Sequence, residues 1–241
     1  MSIADNYQQV LEAIARAAQT VGRTAADIRL VVVTKGHSLE VVQEAITAGA
    51  HIFGENYVEE AVTKILPCRR YSGVEWHMIG HVQSRKAAPV VEYFTWVNSV
   101  DSLKLASRLD RFAAQAGRRM QVLLECNVSG EASKYGFPAW HEAIWAALLA
   151  ELEQIVALPN ISVRGLMTMA PFLSNAEDAR PYFHRLRCLR DLLAIQLPRA
   201  EWSELSMGMS ADYEVAIQEG ATLVRIGTAI LGERPKQVGG R

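Results

Sequence analysis

Eight short apolar runs alternate with longer segments of helical spacing, and this alternation constrains the fold more than any other feature of the chain. The runs occupy residues 28–34, 50–53, 75–80, 93–97, 120–127, 161–168, 202–206 and 222–227. Such runs are typical of strands buried on both faces of a parallel sheet. Eight strand–helix units in 241 residues predict an α/β fold, a closed (β/α)₈ TIM barrel. A doubly wound open sheet is the alternative, but the Gly-x-Gly-x-x-Gly turn of a dinucleotide-binding sheet does not follow the first run.

An amphipathic segment precedes the first predicted strand. Tyr7, Val10 and Ile14 share one face of it, and Gly22 ends the pattern. No low-complexity segment or Pro/Gly-rich linker divides the chain. We therefore predict a single domain over residues 1–241, a barrel with an additional N-terminal helix.

Composition excludes several classes of function. The formal net charge is -1 and 21% of the residues are charged, so the basic excess of a nucleic-acid-binding surface is missing. Charged residues interrupt every apolar run before it reaches the length of a membrane span, and the N-terminus lacks the pattern of a signal peptide. Three widely spaced cysteines indicate reduced thiols rather than a disulfide frame or a metal site. We expect a cytoplasmic protein without nucleic-acid, membrane or metal ligands.

Lys35 directly follows the first predicted strand. Parallel α/β barrels carry their functional residues at the carboxyl ends of the strands. Partial burial would disfavour the ammonium form and lower the pKa of this lysine. The neutral amine could then attack a carbonyl group and form a Schiff base. A solvated lysine at the end of a strand is the alternative.

Small and hydroxyl-bearing residues follow the last two predicted strands. The segment 206–210 ends in Ser210, and Gly227 and Thr228 follow the eighth strand. Free backbone N–H groups and hydroxyls at helix starts suit a phosphate group, and glycine allows the backbone to approach it closely. Ordinary loop and cap residues would show the same composition. Because Lys35 is predicted at the same end of the barrel, we favour a phosphate site.

Arg225 interrupts the apolar run of the eighth predicted strand. A guanidinium buried there must be paired or hydrogen-bonded. Its partner could be the carboxylate of Glu55 or Glu125, or a ring nitrogen of a ligand. In the last case pyridoxal phosphate would fit, with its aldehyde on Lys35 and its phosphate near Gly227.

Two further groups are weaker candidates. His77 and His81 are four residues apart, but their segment is predicted as a strand entering a loop, so a helical zinc pair is not expected. Lys134 lies after the fifth strand, at the same end of the barrel as Lys35. It is interpreted as a solvated loop lysine, with a catalytic or anion-binding role as the alternative.

Several motifs, in order over nearly the whole chain, carry a resemblance to a known family. They occupy residues 33–35, 53–57, 76–84, 98–101, 133–136, 165–169, 205–210 and 224–230. With these motifs the chain resembles the pyridoxal phosphate homeostasis proteins, fold-type III barrels similar to that of alanine racemase. The resemblance implies a cofactor-binding site formed by Lys35, Asn56, Ser210, Arg225, Gly227 and Thr228. It also implies that Lys35 holds pyridoxal 5′-phosphate as an internal aldimine. Asn56 would lie beside the ring and Arg225 would face its nitrogen, while Ser210, Gly227 and Thr228 would hold the phosphate.

The resemblance also implies a function. Members of the family are regarded as carriers or regulators of pyridoxal phosphate supply that also affect amino-acid balance, without an established reaction. The chain ends at Arg241, and the expected barrel is not followed by the second domain of alanine racemase. An arginine at the ring nitrogen would also weaken carbanion chemistry.

We therefore predict a monomeric cofactor-binding protein that is not an enzyme and has no catalytic residues. Free amino acids and apo-enzymes that depend on pyridoxal phosphate are candidate partners. One alternative is a racemase or related enzyme with low activity. Another is a barrel that binds a different phosphorylated metabolite, with Lys35 as an anion ligand.

Overall fold

The structure is a computed structural model that describes residues 1–234. The strands are β1 (Arg29–Val33), β2 (Ile52–Glu55), β3 (Glu75–Met78), β4 (Trp96–Val100), β5 (Met120–Asn127), β6 (Phe137–Pro138), β7 (Ile161–Met167), β8 (Glu204–Ser206) and β9 (Leu223–Ile226). All the strand pairings are parallel, in the order β4-β3-β2-β1-β9-β8-β7-β5, and pairing of β4 with β5 closes the barrel. The two-residue β6 lies outside the circle and pairs with β5 alone. The predicted eight-stranded barrel is confirmed.

Helices surround the barrel. They are α1 (Ile3–Gln19), α2 (Leu39–Thr47), α3 (Val58–Cys68), α4 (Ala87–Tyr93), α5 (Leu103–Gln115), α6 (Trp145–Val156), α7 (Arg180–Gln196), α8 (Tyr213–Gln218) and α9 (Thr228–Leu231). The additional N-terminal helix is α1, which begins with a capping box between Ser2 and Asp5. Among residues 1–234, no helix combines the length and the apolar composition needed to cross a bilayer.

Alternate residues of the strands point into the barrel and toward the helices. On β5, Leu124 packs in the large core between strands and helices, whereas Leu123 packs with Trp96 and Met167 in a separate cluster. The period of two along a strand then gives Glu125 the same direction as Leu123. Glu125 therefore reaches the cavity at the carboxyl end of the barrel, which it lines.

A close approach of two backbones occurs where β7 meets β8. Gly165 has a φ of 152°, and a Cβ atom there would overlap the carbonyl oxygen of Glu204. Only glycine fits this position without displacing the backbone. The register of β5 against β7 shifts close to this point, between Val122 and Leu123.

The sequence prediction placed some boundaries wrongly. The fourth strand was expected at 93–97 but spans Trp96–Val100, because Tyr93 still belongs to α4. Asn98 and Ser99, which lie beyond the predicted run, are consequently buried within the strand. The short β6 was not predicted. The single domain was predicted over 1–241, and its residues 235–241 lie outside the described part of the chain.

Candidate functional site

A cavity of about 860 Å³ opens at the carboxyl ends of the barrel strands. The residues singled out from the sequence all line it, namely Lys35, Asn56, Ser210, Arg225, Gly227 and Thr228. This is the end of the barrel where (β/α)₈ proteins bind their ligands. The structure thus brings the predicted residues together, while their binding roles stay predictions.

Lys35 lies half-buried in the turn that follows β1. It forms no ion pair with any residue of 1–234, since the nearby carboxylates of Glu55 and Glu60 bind Lys64 instead. Burial lowers the pKa of Lys35, and the positive charges of Arg234 and Arg225 lower it further. A larger fraction of Lys35 than of a solvated lysine is therefore the neutral amine at a given pH, and the neutral amine is the nucleophilic form.

A buried cluster lies beside Lys35, and we call Thr34, Glu55, Glu60 and Lys64 the Lys64 cluster. Lys64 is 3% exposed, and its Nζ donates hydrogen bonds to the carbonyl oxygen of Thr34 at 2.7 Å, to Glu55 Oε1 at 2.8 Å and to Glu60 Oε1 at 2.6 Å. The Thr34 hydroxyl also donates to Glu55 Oε1, at 2.6 Å. Burial raises the pKa of Glu55, and the hydrogen bonds from Lys64 and Thr34 oppose that shift.

The Lys64 cluster fixes the backbone on both sides of Lys35. The carbonyl group of Thr34 is bound by Lys64, and the N–H of Gly36 donates to Glu60 Oε1 at 2.5 Å. Gly36 has a φ of 75°, which favours glycine and lets the chain turn sharply after Lys35. The position of the amine is thus set by α3, which carries Glu60 and Lys64.

Asn56 follows β2 directly, and its backbone is held against the loop after β3. A Cβ atom on Gly80 would overlap the carbonyl oxygen of Asn56, so glycine is required for this packing. The hydroxyl of Ser99 donates to the carbonyl oxygen of Gly80 at 2.6 Å and holds that loop in place. Asn56 therefore faces the cavity from a rigid part of the wall.

Hydrogen-bond donors without acceptors converge after β8 and β9. The backbone N–H groups of Ser210, Gly227 and Thr228 have no acceptor within residues 1–234. Gly227 lies close to β1, where an added Cβ would come to 3.0 Å from the carbonyl oxygen of Val33. These donors line the same cavity as Lys35. Such a set of N–H and hydroxyl groups is suited to an anion.

Arg225 is anchored inside the barrel, and no carboxylate of residues 1–234 forms an ion pair with it. It is 4% exposed, and its Nη atoms donate to the hydroxyl of Ser206 at 2.7 Å and to the carbonyl oxygen of Thr168 at 2.8 Å. Within the described residues, neither Glu55 nor Glu125, the two partners considered from sequence, forms an ion pair with it. Burial lowers the pKa of Arg225 to about 10, and the guanidinium remains a cation at neutral pH.

Glu125 is a buried ionisable residue that lines the cavity from β5. It is 3% exposed, and burial raises the pKa of its carboxyl group to about 7. The carboxylate of Asp101 adds to this rise, whereas Arg225 and Lys134 oppose it. Sequence reasoning considered this residue only as a partner of Arg225. The sequence did contain a signal for Glu125, because this residue interrupts an apolar run in the same way as Arg225 does.

The rim of the cavity beside β3 and β5 carries a stacked pair of rings. His81 Nδ1 lies 2.9 Å from Asp101 Oδ2, and the imidazole stacks on Tyr135 with ring centroids 3.9 Å apart. Lys134 is half-buried, and its Nζ donates to the carbonyl oxygen of Ala170 at 3.4 Å. Lys134 thus lies beside the cavity, outside the set of residues that line it.

The barrel, the amine at the end of β1 and the hydrogen-bond donors after β8 and β9 define a class of (β/α)₈ proteins with a ligand cavity at the carboxyl ends of the strands. Residues 7–235 match the family model described as "Alanine racemase, N-terminal domain". The chain is 42% identical to the "Pyridoxal phosphate homeostasis protein" of Pseudomonas aeruginosa, over 97% of this chain and 96% of the relative. It is 38% identical to the protein of the same name from Escherichia coli K12, over 96% and 97%. The chain belongs to the pyridoxal phosphate homeostasis protein family, as its motifs predicted.

Solved structures support the same assignment of fold. PipY of Synechococcus elongatus PCC7942 with PLP bound is 36% identical, with a TM-score of 0.80 over 92% of this chain and 100% of that chain. The alanine racemase of Clostridium difficile 630 is 16% identical, with a TM-score of 0.68 over 97% of this chain and 58% of that chain. The second likeness shows a shared barrel and nothing about activity.

Proposed function

We propose that this protein binds pyridoxal 5′-phosphate and acts in its intracellular homeostasis as a carrier or regulator, and not as an enzyme. The observation that carries the proposal is the amine of Lys35 in the same cavity as the backbone donors of Ser210, Gly227 and Thr228, all four without a partner in the described part of the chain. The names of the relatives and the PLP-bound PipY structure support the choice of ligand. Those names describe the supply of a cofactor and no reaction.

The residues present fit the groups of this cofactor. Its aldehyde supplies an electrophile, and the Nζ of Lys35 can add to it to form a Schiff base with loss of water. Ser210, Gly227 and Thr228 offer donors that a phosphate group would satisfy. Asn56 would lie beside the ring, on the wall after β2.

Arg225 is the residue that favours storage of the cofactor over catalysis. Its guanidinium is held by Ser206 and Thr168 and stays cationic at neutral pH. A cation facing the pyridine nitrogen would keep that nitrogen unprotonated, because two positive charges repel. An unprotonated ring withdraws electrons less strongly, which favours holding the cofactor over stabilising a carbanion.

The same function implies partner molecules and a cellular compartment. Free amino acids and apo-enzymes that need pyridoxal phosphate are the candidate recipients, and the protein would act as a monomeric single domain of residues 1–241. We place its action in the cytoplasm because Cys68, Cys126 and Cys188 are free thiols.

Borohydride reduction followed by peptide mapping tests the attachment. Incubation with pyridoxal 5′-phosphate should place the reduced adduct on Lys35, and Lys35→Ala should lose both the adduct and the imine absorbance. Lys104→Ala, which removes an exposed lysine of α5, is the matched control and should keep both. An adduct on another lysine would contradict the assignment. Equal affinity of Lys35→Ala for pyridoxal 5′-phosphate would mean that Lys35 does not contribute to binding, and rapid α-deuteration of amino acids in deuterated water would favour an enzyme.

A further inference from the structure

Glu125 is a buried acid in the cavity wall that has no partner among residues 1–234. Its side chain is 3% exposed and lines the cavity. Within residues 1–234, no donor hydrogen-bonds its carboxyl group and no cation forms an ion pair with it. Arg225, which lines the same cavity, uses its Nη donors on Ser206 and Thr168. The carboxyl group of Glu125 therefore opens onto the cavity, where it meets the ligand or solvent that fills it.

The barrel topology places Glu125 across the cavity from Lys35. Passing from β1 through β2, β3 and β4 to β5 is half of the closed circle of strands. A molecule attached at Lys35 that extends over the mouth of the barrel therefore points toward the wall formed by β5. The charge on Glu125 acts directly on such a molecule, since low-dielectric walls surround both.

Three charged groups face Glu125 from the neighbouring elements. Asp101 follows β4 and disfavours the carboxylate, whereas Arg225 on β9 and Lys134 after β5 favour it. Burial outweighs the two cations and raises the pKa of Glu125 to about 7. The acid and carboxylate forms are thus both populated at neutral pH before any ligand enters.

We propose that Glu125 is a further ligand-binding residue, whose neutral carboxyl group admits an anionic phosphorylated ligand and whose carboxylate opposes it. The inference rests on the proposed function, because it takes pyridoxal 5′-phosphate as the ligand. A phosphate and a carboxylate enclosed in one cavity repel each other, so binding of the ligand favours the protonated acid. Binding is then coupled to the uptake of a proton by Glu125, and affinity falls as pH rises through the pKa of the free protein.

Binding of pyridoxine 5′-phosphate tests the inference, because this analogue lacks the aldehyde and cannot form an imine with Lys35. Dissociation constants of the wild-type protein and Glu125→Gln are measured by calorimetry between pH 6 and pH 8.5. We expect similar affinities at pH 6. At pH 8 the wild-type protein should bind more weakly by up to about tenfold, since one pKa unit corresponds to a factor of ten. Glu92→Gln makes the same change of charge at an exposed position of α4 and should keep the wild-type pH profile.

The outcomes separate this inference from the proposed function. If Glu125→Gln binds with the wild-type pH profile, or more weakly at every pH, the role of Glu125 is wrong while the cofactor site stands. If neither protein binds pyridoxal 5′-phosphate or its analogue at any pH, the proposed function and the inference are both wrong. Thermal melts of each variant show whether a lost affinity reflects unfolding.

Discussion

Replacing Lys64 by methionine is the sharpest test of the buried charges beside Lys35. Lys64 is 3% exposed and Glu55 is fully buried, so the variant leaves the carboxyl group of Glu55 with only the hydroxyl of Thr34 as a donor. The second oxygen of Glu55 already lacks a partner in the described structure. Breaking a buried ion pair by removing one member costs about 3–5 kcal/mol in the free energy of unfolding. For a domain of this size, that predicts a melting temperature lower by roughly 6–20 °C.

The deficit should depend on pH. Burial raises the pKa of Glu55 in the folded protein, and loss of Lys64 removes the larger of the two hydrogen bonds that oppose the rise. A carboxyl group with a raised pKa in the folded state costs nothing while it is protonated in both states. Its cost appears once the pH exceeds the pKa in the unfolded chain, and it grows until the folded-state pKa is passed. Lys64→Met should therefore lose more stability at pH 8 than at pH 5.

Urea unfolding followed by circular dichroism, at both pH values, measures these differences. Lys86→Met is the matched control, because Lys86 pairs with Glu59 at an exposed site where the expected loss is about 0–1 kcal/mol. The double variant Lys64→Met/Glu55→Gln should recover much of the stability, since the buried charge is gone. Equal losses for Lys64→Met and Lys86→Met, or a larger deficit at pH 5, would refute the reasoning.

Two further predictions concern packing and thiol reactivity. Gly165→Ala should unfold at a markedly lower urea concentration than Gly117→Ala, because a Cβ at 165 would overlap the carbonyl oxygen of Glu204 whereas nothing lies within 4 Å at 117; equal midpoints would contradict this. Burial raises the pKa of the Cys126 thiol, so iodoacetamide at neutral pH should modify the partly exposed Cys188 first, as mass spectrometry of digests can show. Early labelling of Cys126 would mean that its strand opens readily.

The sequence predicted those parts of the site that depend on order along the chain. Lys35 and Arg225 were found because each charged residue ends or interrupts an apolar run. Such a run is a barrel strand, and its carboxyl end lies at the functional end of a parallel barrel. Ser210, Gly227 and Thr228 were found because loops after the last two strands meet at one end. These inferences need only the direction of the strands, which the alternation of elements determines.

The Lys64 cluster could not be predicted in the same way. A lysine within an amphipathic helix is ordinarily predicted to face solvent. In the structure, however, Lys64 of α3 is buried beneath the residues that follow β1 and β2. Its three acceptors come from residues 34, 55 and 60, and their convergence depends on how deeply α3 packs against the barrel. The boundary of β4 was misplaced for a related reason, since the end of α4 is decided by packing and not by local pattern.

The same cluster explains how the pKa of Lys35 is lowered although two carboxylates lie near it. The negative charges of Glu55 and Glu60 both act to raise the pKa of Lys35 and so to keep its amine protonated. Lys64 hydrogen-bonds both carboxylates and supplies the compensating charge, which leaves Lys35 without an ion pair in the described structure. Burial and the cations at 225 and 234 then determine the direction of the pKa shift of Lys35. Lys64 thus compensates the two carboxylates beside Lys35, and the Schiff base proposed at Lys35 would depend on both lysines.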